Sequence, residues 1–63
     1  MKLKEGDVFF QINQFGDIVE YSYLGSSYER RSEEFGNVFQ TKSKAQSALK
    51  KIKKVLREAR KNG

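Results

Sequence analysis

The residues best able to do chemistry are basic, and they are concentrated in the last third of the chain. Nine lysines and arginines lie in residues 42–63, against a single acid, Glu58. Residues 1–41 carry four bases and seven acids, so the two parts have net charges of +8 and −3. A split of this kind gives a dipolar molecule whose cationic face attracts polyanions: nucleic acid, an acidic protein surface or an anionic membrane.

Catalysis is not expected from this composition. The chain has no histidine and no cysteine, which removes the commonest general bases, the thiol nucleophiles and a Cys/His zinc site. Glu29, Glu33 and Glu34 lie in a charged run of the kind that usually forms a solvated surface. The phosphate-binding patterns GxxxxGK[ST] and GxGxxG do not occur. We therefore expect a protein that is not an enzyme and that uses no metal and no other cofactor.

An amphipathic helix is predicted to position the basic residues. In residues 41–62 the apolar side chains recur at steps of three and four, which places them in one stripe. Thr41 and Ser43 are both candidates for the N-cap, Ser43 with a capping box to Gln46, and Arg60 and Lys61 complement the helix dipole at the other end. Because neighbouring like charges cost helix stability, the excess of bases favours a binding role over a merely solvated face. A membrane-surface helix is less favoured, since the stripe has to cover a sheet.

The first two thirds of the chain are predicted to form that sheet. Residues 8–13 and 18–24 have strand-like composition, with a hairpin loop between them, and residues 38–40 end a third strand. Residues 25–37 have no clear period. A second hairpin arm, with Tyr28 as a cross-strand partner, and a charged loop both stay open for them. The sequence thus predicts a single small α+β domain, with a three-stranded antiparallel sheet (β-β-β, residues 7–40) packed against one C-terminal amphipathic helix (residues 41–62).

The predicted core joins one face of each strand to the helix stripe. It consists of Val8, Phe10, Ile12, Val19, Tyr21, Val38, Phe39, Ala45, Ala48, Leu49, Ile52, Val55 and Leu56. Phe9 points opposite to Phe10, and Phe15 lies at the hairpin tip, so these two and Tyr28 are candidate contact aromatics. A chain of 63 residues without disulfides has marginal stability, which makes a homodimer a further expectation.

The residues that join the predicted sheet to the helix resemble sequences of known protein families. Gly36-Asn37, Phe39, Thr41-Lys42 and Ala45 look like a recurring ending of short phage and prophage proteins. The Phe-x-Thr-Lys-x-x-Ala part is similar to the sheet-to-helix join of the arm-type, AP2-like DNA-binding domains of phage integrases. That resemblance implies a three-stranded sheet backed by one helix, with DNA gripped by the sheet. It also favours Thr41 over Ser43 as the N-cap of the helix. Here the sheet half is acidic, so we expect the helix to provide most of the positive charge.

These observations predict a phage-like, non-enzymatic module that binds nucleic acid, most simply double-stranded DNA, through its basic C-terminal helix. The expected nucleic-acid-binding residues are Arg30, Arg31, Lys50, Lys51, Lys53, Lys54, Arg57, Arg60 and Lys61. The alternative is a small protein-interaction module, such as a phage inhibitor of a host enzyme or defence nuclease, that binds an acidic host protein or presents residues 29–34 as a mimic of nucleic-acid charge. No signal-peptide pattern and no apolar run of about 20 residues occurs. The expected location is the cytoplasm of a bacterial host, with no membrane partner.

Overall fold

A computed structural model describes residues 3–62 of the chain, and its class is α+β. Four elements follow one another: β1 (Val8–Ile12), β2 (Ile18–Ser22), α1 (Ser27–Phe35) and α2 (Lys42–Asn62). The two strands pair in an antiparallel sheet, and α2 packs against both of them. The predicted three-stranded sheet is therefore wrong, since the described residues form a two-stranded sheet and an additional helix.

The β1–β2 hairpin has the predicted loop. Asn13 organises that loop, because its Oδ1 accepts hydrogen bonds from the backbone N–H groups of Phe15 and Asp17, both at 2.9 Å. Gly16 has a φ of 83°, a left-handed conformation that glycine adopts without a Cβ clash. β2 ends at Ser22, two residues before the predicted end.

In β1 the buried face is the opposite of the predicted one. Phe9 is 1% exposed and Gln11 is 5% exposed. Val8 is exposed, and Phe10 and Ile12 are only half-buried. The placement of Phe9 as a contact aromatic is therefore wrong: it is the largest fully buried side chain of the described part of the protein.

The register of the hairpin explains this reversal. Phe9 pairs directly with Tyr21, and Gln11 pairs with Val19; directly opposed residues lie on the same face of a sheet. The Phe9 ring stacks on Tyr21 with centroids 5.7 Å apart and meets Tyr23 edge-on at 6.2 Å. The predicted face of β2 thus lies on the side of Phe9, and the predicted faces of the two strands could not have formed one core.

Residues 27–35 form α1 and are neither a hairpin arm nor a charged loop. The helix begins with a capping box: Ser26 Oγ accepts from the Glu29 N–H at 3.2 Å, and Glu29 Oε1 accepts from the Ser26 N–H at 2.9 Å. It ends at Gly36, whose φ of 102° reverses the chain. Tyr28 is consequently an exposed helical residue and has no cross-strand partner.

The segment predicted as a third strand contributes one bridge only. Phe10 and Phe39 exchange backbone hydrogen bonds of 2.8 and 2.9 Å at the free edge of β1. The next pairing position on β1, Ile12, bonds instead to the side chain of Asn37, at 2.9 Å through its N–H and 2.8 Å through its carbonyl. Because a side chain takes this position and α2 begins at Lys42, the pairing cannot extend into a strand.

The start of α2 is as predicted, since Thr41 Oγ1 accepts from the Lys44 N–H at 3.2 Å. Burial then falls along the apolar stripe. Ala45 is fully buried, and Ala48 and Leu49 are half-buried. No helix in residues 3–62 is long and apolar enough to cross a membrane.

The second half of the stripe is not part of the core, contrary to the prediction. Ile52, Val55 and Leu56 are 41%, 62% and 64% exposed. A helix of 21 residues is about 31 Å long, while a five-residue strand spans only about 17 Å. The hairpin is therefore too short to cover α2, whose C-terminal half projects beyond it.

Candidate nucleic-acid interface

The nine basic residues of α2 are all exposed. The helix places them around the side opposite to its apolar stripe, because both sets follow the 3.6-residue repeat. Four of them are spaced by four, three and four residues and thus form one line along the helix: Lys50, Lys54, Arg57 and Lys61. We call this line the basic ridge. Lys51, Lys53 and Arg60 lie to either side of it.

The surface beside the basic ridge has two shallow hollows. The larger, about 470 Å³, lies near the start of α2 and is lined by Ser43, Gln46, Ser47, Leu49, Lys50 and Lys53. The smaller, about 240 Å³, lies near its end and is lined by Lys54, Arg57, Glu58, Arg60 and Lys61. The first hollow thus combines uncharged hydrogen-bonding groups with two lysines, and charged groups alone line the second.

Arg30 and Arg31 lie on a different helix from this surface. Both are exposed on α1, and among the described residues no Cα atom of α1 lies within 8 Å of one in α2. The predicted set of nine binding residues is therefore divided, with seven on α2 and two on a separate helix.

The exposed aromatic side chains lie mainly outside the sheet. Phe15 is 78% exposed at the hairpin tip, and Tyr28 is 71% exposed on α1. Sequence reasoning missed Phe35, which is 87% exposed at the end of the same helix. Tyr28 and Phe35 are seven residues apart, so they lie on one face of α1. The capping pattern Ser26-x-x-Glu29 was the signal that could have revealed this helix and hence the pair.

Glu29 is not a free surface acid. It is 7% exposed, and its carboxylate accepts hydrogen bonds from the N–H groups of Leu24 and Ser26 and from the Ser26 hydroxyl, at 2.9–3.0 Å. Burial raises the pKa of this carboxyl, but the hydrogen bonds outweigh that effect, and the net pKa lies below its ordinary value. Its role is to hold the β2–α1 connection to the start of α1, so it cannot take part in a charge mimic.

The other acids form no recognisable centre. Within residues 3–62 no group of three or more acidic side chains is placed to hold a metal ion. Glu34 is exposed and Glu33 half-buried on α1. The surface with the most concentrated charge is therefore that of α2.

In comparisons with known proteins, no family model, no curated protein and no solved structure matches the chain. The two-stranded sheet also departs from the three-stranded sheet that the resemblance to arm-type domains implies.

Proposed function

We propose that the protein binds double-stranded nucleic acid, most simply DNA, through the basic ridge of α2. The observation that carries this proposal is that all nine bases of α2 are exposed on a helix whose C-terminal half projects from the domain. Lysine and arginine neutralise phosphates and release condensed counterions, which makes such a surface a sequence-independent ligand for the duplex backbone.

The dimensions of α2 support a duplex as the partner. With its side chains a helix is about 10–12 Å across, and the major groove of B-DNA is about 12 Å wide. The basic ridge runs from Lys50 to Lys61, a rise of about 16 Å, so its ends can reach phosphates on both sides of a groove. Nothing in the hairpin covers this face, because the hairpin lies under the apolar stripe on the other side of α2.

The test is a fluorescence anisotropy titration of a labelled 20-base-pair duplex over a range of salt concentrations. The binding variant replaces Lys50, Lys54, Arg57 and Lys61 with glutamine. Each lost phosphate contact should make the slope of log K against log salt shallower by about 0.9, so the variant should lose a total of about 3.6 and bind at least about tenfold more weakly at low salt.

A charge-matched variant controls for net charge. Lys4, Arg30, Arg31 and Lys42 are four exposed bases outside the basic ridge, and their replacement by glutamine changes the net charge equally. This control should retain most of the affinity and the salt slope. Equal losses in the two variants, or no binding of the parent protein at 50 mM salt, would refute the proposal.

A protein-interaction role is the second candidate, and the exposed pair Tyr28 and Phe35 on α1 favours it. Aromatic side chains are enriched in protein interfaces, and here they lie on a different helix from the bases. Capture from a bacterial lysate with and without nuclease distinguishes the two roles. A protein retained after nuclease treatment, and lost with Tyr28→Ser and Phe35→Ser, would support the second candidate.

A further inference from the structure

We propose that Phe15 stacks on an unpaired base of the nucleic acid, beside a duplex that the basic ridge holds. This inference rests on the proposed function, because the ridge has to supply most of the affinity. The ligand it implies is a nucleic acid in which a single-stranded stretch adjoins a duplex, so that the face of at least one base is open. The feature that points to it is an exposed aromatic side chain placed next to two lysines.

Phe15 lies in a loop that hydrogen bonds hold in one shape. Its side chain is 78% exposed, and its backbone N–H donates to Asn13 Oδ1 at 2.9 Å. Two backbone hydrogen bonds close the same loop, from the Asn13 N–H to the Asp17 carbonyl at 2.9 Å and from the Gly16 N–H to the Asn13 carbonyl at 3.1 Å. Because an aromatic side chain has only two χ angles, a ring on a fixed backbone loses little entropy when it binds a ligand.

The tip of the hairpin lies against the middle of α2. A Cβ atom built on Gly16 would stand 4.0 Å from Leu49 Cδ1. Since consecutive Cα atoms are about 3.8 Å apart, the Cα atom of Phe15 lies within about 10 Å of that leucine side chain. The same leucine lines the larger hollow beside the basic ridge. The loop that carries Phe15 and the hollow therefore meet at Leu49.

The larger hollow offers the positive charge that a phosphate needs. Lys50 and Lys53 line it, and both are exposed. Successive residues of a helix are turned by about 100°, so the order around α2 is Lys50, then Lys53, then Leu49. A strand that leaves the basic ridge can follow these two lysines toward Phe15. Asp17 is the one acid in residues 13–17, so the local charge stays positive.

An unpaired base fits this combination better than an intact duplex does. Proteins that bind single strands combine a basic groove with aromatic rings, which stack on bases of any sequence. Within a duplex both faces of a base are covered by its neighbours, so Phe15 could stack there only by separating base pairs, which costs free energy. Exposed aromatic rings also occur in protein interfaces, but the two lysines beside Phe15 favour a polyanion.

Two labelled DNA molecules test the stacking in a fluorescence anisotropy titration at 50 mM salt. Each has two 15-base-pair arms joined by five unpaired nucleotides of one strand, which are thymidines in one molecule and abasic residues in the other. The phosphates are equal in number, so the difference in affinity measures the bases alone. The thymidine DNA should bind at least about fivefold more tightly. Phe15→Leu keeps an apolar side chain, removes the ring and should abolish the difference.

Phe35→Leu is the matched control, because Phe35 is also exposed but lies on α1. This variant should keep the preference for the thymidine DNA. Equal binding of the two DNA molecules by the parent protein, or equal losses in the two variants, would overturn the inference and leave duplex binding intact. Failure of the parent protein to bind an intact duplex would instead refute the proposed function, and the stacking with it.

A tryptophan at position 15 reports the stacking directly, because the chain has no tryptophan of its own. In Phe15→Trp the indole fluorescence should be quenched by the thymidine DNA and much less by the abasic DNA, whereas Phe35→Trp should show no such difference. Unchanged fluorescence of Phe15→Trp with the thymidine DNA bound would overturn the inference. So would a protein captured from a lysate after nuclease treatment and lost with Phe15→Leu, because Phe15 would then belong to a protein interface.

Discussion

Asn37 and Ile12 form a two-point hydrogen-bonded contact across the fold: Asn37 Nδ2 donates to the Ile12 carbonyl at 2.8 Å, and Asn37 Oδ1 accepts from the Ile12 N–H at 2.9 Å. The side-chain amide thus acts like the backbone of a neighbouring strand. It joins residues 25 positions apart in the sequence and fixes the connection between the two helices against β1.

Replacing Asn37 with alanine should destabilise the protein by about 1–3 kcal/mol, because it removes two hydrogen bonds and leaves part-buried backbone groups of Ile12 unpaired. Asn37→Asp keeps an acceptor and loses the donor, so its carboxylate is set against the Ile12 carbonyl, and it should also be destabilising. Urea denaturation at neutral pH measures both. Gln40→Ala, at an exposed position of the same segment, should change stability little. A stability of Asn37→Ala within 0.5 kcal/mol of the parent would contradict the role of this contact.

Glu29 should make the stability of the protein depend on acid pH. Its pKa is below the ordinary value of 4.5 in the folded state, so its contribution is fully present above that value and is lost as the pH falls through the lowered pKa. Glu29→Gln should be less stable than the parent at pH 7, and the difference should shrink toward pH 2. Thermal melts across this range measure it. Glu34→Gln, an exposed change on the same helix, is the charge-matched control. A constant difference between Glu29→Gln and the parent would show that the carboxylate charge is not the cause.

Gln11 should be replaceable with a gain in stability. Its Nε2 is buried and has no hydrogen-bond partner among the described residues. Gln11→Met keeps the length of the side chain and removes the unpaired donor, so the free energy of unfolding should rise by about 1 kcal/mol. Gln46→Met, on the exposed face of α2, should leave stability nearly unchanged. Lower stability of Gln11→Met would mean that the amide group has a partner.

Substitution of Gly36 should destabilise the protein because of the backbone conformation at this position alone. Its φ is 102°, and a Cβ atom placed there would meet nothing within 4 Å. Gly36→Ala should therefore cost about 1–2 kcal/mol from the left-handed conformation and nothing from crowding. Gly36→Asn should cost less, since asparagine adopts this region more readily. Chemical denaturation measures the loss of stability in each variant. Equal losses would show that the left-handed conformation at position 36 is not the cause.

The features that could be predicted from the sequence are those that depend on local chemistry. The stripe of α2 and the Asn13 loop each follow from residues close together in the chain. For the cap of α2 the residues left Thr41 and Ser43 open, and the resemblance to arm-type domains favoured Thr41. The face of β1 could not be predicted this way, because Val8, Phe9 and Phe10 place large apolar side chains on both sides of the strand. Only the register with β2 decides between them, and it buries Phe9 against Tyr21.

The errors in the second half of the sheet have a different origin. A highly charged segment was not expected to form a helix, although Ser26 and Glu29 supply a capping box that starts one. The predicted third strand does not form, because the side chain of Asn37 makes the hydrogen bonds to the Ile12 backbone that a neighbouring strand would make. For the candidate interface, the seven bases on α2 could be assigned from helical spacing, whereas the separation of Arg30 and Arg31 depended on recognising α1.

The two edges of the hairpin have different consequences for solubility. β1 is covered on both sides, by β2 and by the Phe39 bridge with Asn37, while β2 has one neighbouring strand within the described residues. The outer edge of β2 is thus a potential template for strand addition and aggregation. It is five residues long and carries the exposed carboxylate of Glu20 at its centre, so a second β2 edge that approached it would meet like charge. The outer edge of β2 is therefore protected by its shortness and by charge repulsion.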